Sequence, residues 1–101
     1  MSSRLDLHEV LCEILGSRNV YFQPPASVKM KYPAIVYSRK YVRNRFANNS
    51  VYMQLPCYEV VVIDKSPESA YTEKISLLPL CEFDRHYAAD NLNHDVFTLY
   101  Y

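Results

Sequence analysis

Val60-Val61-Val62-Ile63 is a run of four β-branched residues with no polar position in it. A half-buried strand alternates apolar and polar side chains, whereas this run is apolar on both faces. It therefore reads as a strand at the centre of a sheet. Pro56 precedes it, so Val51–Leu55 and Tyr58–Asp64 read as two strands broken at that proline. Asp64-Lys65-Ser66-Pro67-Glu68 follows it and reads as a helix start. Ser66 is expected as the cap and Pro67 as the first helical residue, where its missing N–H costs nothing. Tyr71, Ile75 and Leu78 form the buried stripe of that helix, and Pro79 ends it.

Residues 4–15 read as another helix, because Leu7, Val10, Leu11, Ile14 and Leu15 recur at three- and four-residue spacing. Ser3 with Asp6 resembles an N-terminal cap. Gly16, the single glycine of the chain, follows the last apolar position, where a helix commonly ends in a left-handed residue. Asn19–Phe22 reads as a short extended piece closed by Gln23-Pro24-Pro25. Residues 23–33 form a connector. Ala34–Tyr41 reads as a strand with Ile35 and Tyr37 on one face and Val36 and Ser38 on the other. The polar residues 42–50 read as a projecting hairpin loop. Cys81–Tyr87 and His94–Tyr101 read as two further strands joined by a turn over Ala88–Asn93, with Asp90-Asn91 as turn formers. The expected order is α-β-β-β-β-α-β-β. That is an α+β fold, with a mostly antiparallel sheet of about four to six strands packed by two helices. The 101 residues suit one domain spanning 1–101.

The net charge is zero, yet the charges are segregated. Ile14 through Tyr58 holds no acid but carries Arg18, Lys29, Lys31, Arg39, Lys40, Arg43 and Arg45. The acids stand before and after that stretch. A chain of this kind either neutralises itself internally or pairs head to tail with a copy of itself. Ten tyrosines point either to strand content or to surfaces that become buried against a partner. The cations Arg39, Lys40, Arg43 and Arg45, with Phe46, mark a candidate partner-binding arm. Glu82, Asp84, Asp90 and Asp95 are the candidate acidic counterpart. Contact with nucleic acid and a solvated hairpin tip are the alternative readings of the basic stretch.

Chemistry is sparsely signalled. Asp84, His86, Asp90, His94 and Asp95 would suit a metal, but their spacing matches no ligand motif and equally fits solvated faces of a hairpin. No nucleophile elbow is present, and a single glycine leaves no phosphate-cradling loop. His8 is expected on the solvated side of the first helix. Cys12, Cys57 and Cys81 are odd in number and widely spaced, which argues for reduced, mostly buried thiols. Cys81 is expected to alternate with Phe83 toward the sheet interior. No apolar run reaches the length of a membrane span, and no apolar signal segment follows Met1. The expectation is a non-enzymatic protein without cofactor or metal, made and kept in cytosol.

A series of segments extends over nearly the whole chain. It comprises Leu7 to Leu15 with Gly16; Asn19-Val20-Tyr21-Phe22-Gln23-Pro24-Pro25; Tyr32-Pro33-Ala34-Ile35-Val36-Tyr37-Ser38; Tyr58 to Asp64 with Lys65; and Phe83-Asp84-Arg85-His86-Tyr87 through Asn91 to Tyr101. In that order the segments resemble the small tail terminator, or tail-completion, proteins of long non-contractile-tailed bacteriophages. The resemblance implies a structural virion protein, assembled in the bacterial host cytoplasm and placed at the head–tail junction. It implies a ring, usually of six subunits, that caps the head-proximal end of the tail tube and stops tube polymerisation. Its implied partners are further copies of itself, the major tail tube protein and the head–tail connector protein. DNA only passes through the lumen, and no membrane, catalysis or cofactor is involved. A head-closure or adaptor protein of the connector and a small nucleic-acid-binding regulator are the alternatives.

Overall fold

A computed structural model describes residues 4–40 and 56–101. Their elements are α1 (Arg4–Leu15), β1 (Val20–Phe22), β2 (Ala34–Arg39), β3 (Cys57–Asp64), α2 (Ala70–Ser76), β4 (Cys81–Ala89) and β5 (Leu92–Tyr100). The strands form one five-stranded sheet in the order β1-β2-β3-β5-β4. β1 runs parallel to β2, and every other neighbouring pair is antiparallel. The chain is thus an α+β protein. The hairpin expected over 42–50 and the strand expected at Val51–Leu55 lie outside the described residues.

The all-apolar run occupies the middle strand, with β2 on one side and β5 on the other. Val60 and Val62 face the helices. There they join Ile35, Tyr37, Phe97 and Leu99 beneath Leu7, Leu11, Cys12 and Leu15 of α1 and Ile75 of α2. Ile63 is buried and Val61 half-buried; alternation along the strand places both on the opposite face. Each fully buried Leu, Ile, Val or Phe contributes about 1.5–3 kcal/mol of transfer free energy, so this cluster dominates the stability of the fold. Ile35 and Tyr37 are buried while Val36 and Ser38 are half-buried, as the alternation in β2 predicts.

Local chemistry explains where the elements stop. Gly16 has φ +76°, and its N–H donates to the Cys12 carbonyl at 2.8 Å, a left-handed helix end at the expected place. Beyond β1, the Gln23 N–H donates to the Tyr37 carbonyl at 2.9 Å, and Pro24 and Pro25 then lack donors to continue. The second helix corrects the expectation. Its cap is Ser69, whose hydroxyl accepts from the Tyr71 N–H at 3.3 Å, and Pro67 lies outside it. The reason is competition for amides. Asp64 accepts the Ser66 N–H at 3.1 Å, and the Ser66 hydroxyl accepts the Glu68 N–H at 3.2 Å, so this stretch is held as side-chain turns. Asp90 and Asn91 have φ of 53° and 63°, the geometry of a two-residue hairpin turn. β4 and β5 consequently run closer to the turn than the sequence alone indicates.

Candidate interaction site

Sheet order carries part of the segregation in sequence into the strands, although α1, with Asp6, Glu9 and Glu13, packs against β1 and β2. β1, β2 and the connector between them come from the acid-free part of the chain and form one side of the sheet. Lys29, Lys31, Arg39 and Lys40 are exposed there. The Lys40 Nζ donates to Thr98 Oγ1 at 3.1 Å, and the Arg39 backbone N–H donates to Gln23 Oε1 at 3.1 Å. Among the described residues, Lys29, Lys31 and Arg39 make no ion pair. The Lys31 backbone N–H donates to the Tyr21 hydroxyl at 3.4 Å, which pins the connector beside β1. Arg43, Arg45 and Phe46 of the expected arm lie outside the described residues.

The opposite edge is β4, nine residues long, with Glu82 through Ala89 all exposed. Among the described residues its sheet neighbour is β5 alone. The pairing is irregular between Phe83 and Arg85, so Asp84 bulges out of register, and its carboxylate pairs with the Arg85 guanidinium at 2.7 Å. Glu82 and Asp90 are exposed without an ion pair among the described residues. Phe83 corrects an expectation: its ring meets buried Phe97 edge-on at 5.5 Å, yet it remains 55% exposed because it stands on the outermost strand. Leu77 and Leu80, 78% and 61% exposed, lead into this strand, and Leu80 holds φ +57°. Neither leucine is marked by a motif. The visible signal is an apolar run, Leu77-Leu78-Pro79-Leu80, longer than the helix stripe needs.

Asp95 does not belong to that acidic surface. It is 7% exposed, and its carboxylate accepts from Thr72 Oγ1 at 2.6 Å and from His86 Nδ1 at 2.6 Å. It ties α2 to both hairpin strands and is removed from the partner-facing acids. The same register separates the histidines. His86 pairs with Asp95, whereas His94 pairs with Tyr87 and stacks on its ring at 4.5 Å, on the other face of the hairpin. Among the described residues no group of three His, Cys, Asp or Glu side chains converges on a common point.

His8 also differs from expectation. Its Nδ1 lies 2.8 Å from the Tyr37 hydroxyl, which also accepts from Arg4 at 3.3 Å. Burial, together with Arg18 and Arg4, lowers the imidazole below its ordinary value, outweighing the opposing pull of Glu9. Neutral His8 therefore accepts the proton of Tyr37, whose own hydroxyl is pushed up by burial. A depressed folded-state value means that protonation favours the unfolded chain. Stability from this group is complete above the ordinary imidazole value, about 6.5, and is lost as pH falls below it. The melting temperature should drop between neutral and mildly acidic pH, and His8→Gln should flatten that slope; equal slopes would remove the role assigned to His8.

The three thiols are free, and burial raises each of them. Raised thiols are weak nucleophiles at neutral pH, which favours a packing role. Among the described residues no helix is long and apolar enough to cross a membrane. Compared with protein-family models, curated proteins and solved structures, the chain matches none.

Proposed function

We propose that this chain is a structural virion protein of a long, non-contractile-tailed bacteriophage. In this reading several copies, six in the usual arrangement, form a ring at the head-proximal end of the tail tube. The ring ends tube polymerisation and presents the surface that the head–tail connector meets, while DNA passes through its lumen. The residues are assigned no catalytic role and no cofactor.

The observation that supports the reading best is the bipolar sheet. One side, built from β1, β2 and their connector, carries Lys29, Lys31 and Arg39 and no acid, and it stands opposite the exposed edge strand β4, where Glu82 is unpaired among the described residues and Asp84 pairs with Arg85. Complementary surfaces at opposite ends of one body favour a heterologous contact, which generates a closed ring when the rotation between copies permits it. The order of segments along the chain adds the resemblance to tail terminators.

Electron microscopy of phage particles made with and without the chain tests the proposal. Without it, tail tubes should vary in length and fail to join heads; purified chain added back should restore both. Tubes of normal length that fail to join heads would favour an adaptor in the connector. Normal, joined tails would overturn the reading.

A further inference from the structure

We infer that successive copies of this chain join through the two opposite edges of the sheet. The β4 edge of one copy, with Leu77, Leu80, Glu82 and Phe83, seats against β1 and the lysine-bearing connector of the next. The inference deepens the ring reading and rests on it only for closure.

Strand polarity permits the contact. β1 and β2 run together, and β3, β5 and β4 then alternate, so β4 runs opposite to β1. A sheet continued from copy to copy therefore sets β4 antiparallel to the next β1. An edge strand with free N–H and C=O groups is a template for such addition. β1 has three residues, which limits the paired length. The bulge at Asp84 confines pairing to one side of itself, and the exposed leucines and Glu82 lie on its N-terminal side. The contact is thus a short ladder flanked by side chains.

Charge selects the occupant. Lys29 and Lys31 lie on the connector beside β1 without an acid among the described residues to pair with. Glu82 lies on the outer strand at the other edge, equally unpaired among those residues. Complementary potentials of this kind set partner and register. A second copy supplies both partners at once.

Leu80 supplies an independent observation. A leucine in the left-handed region crowds its own Cβ against the backbone, a cost that glycine avoids. At 61% exposure its side chain returns little packing to its own chain. Burial against a neighbouring copy gives that side chain a use that the single chain does not. Leu77 and Phe83, three residues to either side of it in sequence, are exposed as well.

Sedimentation velocity on the purified full-length chain tests the contact. The wild type should self-associate at high concentration and less so in high salt. Glu82→Lys alone and the pair Lys29→Glu with Lys31→Glu alone should each weaken association by about tenfold or more. An equimolar mixture of the two variant chains should recover it, because reversed charges then face each other. Leu80→Gly should melt no lower than wild type yet associate more weakly. A wild type monomeric up to about 1 mM would overturn the contact. So would a mixture that fails to recover, a symmetric dimer indifferent to the lysine changes, or a Leu80→Gly chain that associates normally. Each of these results leaves tail capping to be judged by the microscopy above, so the two failures remain separable.

Discussion

Asp95→Ala is expected to destabilise the chain by about 2–4 kcal/mol, because it removes two charge-assisted hydrogen bonds at a buried carboxylate. Asp95 Oδ2 holds the Thr72 hydroxyl of α2, and Oδ1 holds His86 of β4. The loss therefore loosens α2 from the outer hairpin as well as leaving the half-buried Thr72 hydroxyl short of a partner. His86 is 42% exposed in its side chain, so water replaces part of its lost bond, which keeps the effect below the sum of two fully buried ones. Thr72→Val removes one bond and should cost about 1 kcal/mol. Urea unfolding of the three chains measures both. An Asp95→Ala chain as stable as wild type would mean that the carboxylate is solvated and that the bridge does not hold.

Phe97→Ala is expected to cost about 3–5 kcal/mol, enough to threaten a domain whose total stability is about 5–15 kcal/mol. Phe97 is fully buried, with Val60 of the central strand on one side and Phe83 of the edge strand on the other. Phe83→Ala removes the same number of atoms but from a ring that is more than half exposed, and should cost about 1 kcal/mol or less. Calorimetry on the two variants therefore reads out their placement: similar melting temperatures would contradict it.

The first helix and its end at Gly16 rest on local signals, apolar periodicity and a residue suited to positive φ. The central strand was legible because four β-branched residues leave few alternatives. The choice between Ser66 and Ser69 as helix cap was not, since both stand near Pro67 and the outcome depends on Asp64 capturing an amide. Asp95 reads with Glu82, Asp84 and Asp90 as one of the acids of the C-terminal part, and nothing in its neighbours marks it as buried. Only the pairing register, set by how tightly the chain turns at Asp90-Asn91, shows that it faces the helices while its neighbour His94 faces away. Phe83 was misplaced for a related reason: alternation gives the face of a strand but not its position within the sheet. The order β1-β2-β3-β5-β4, with its parallel pair and its outermost β4, arises from contacts between distant residues.

That order also decides the candidate site. Segregated charge was visible in the sequence, but two opposed edges emerge only when the acid-free part forms one side of the sheet and β4 the other. The single-chain energetics of Glu82, Lys29 and Lys31 are small, as for exposed charges in general. Their use lies in choosing a partner and its orientation.

End-on and side-view class averages of purified tails should show a closed ring of copies of this chain at the head-proximal end alone, coaxial with the tube and open at its centre. Copies distributed along the tube, or tube ends that lack the chain, would contradict it.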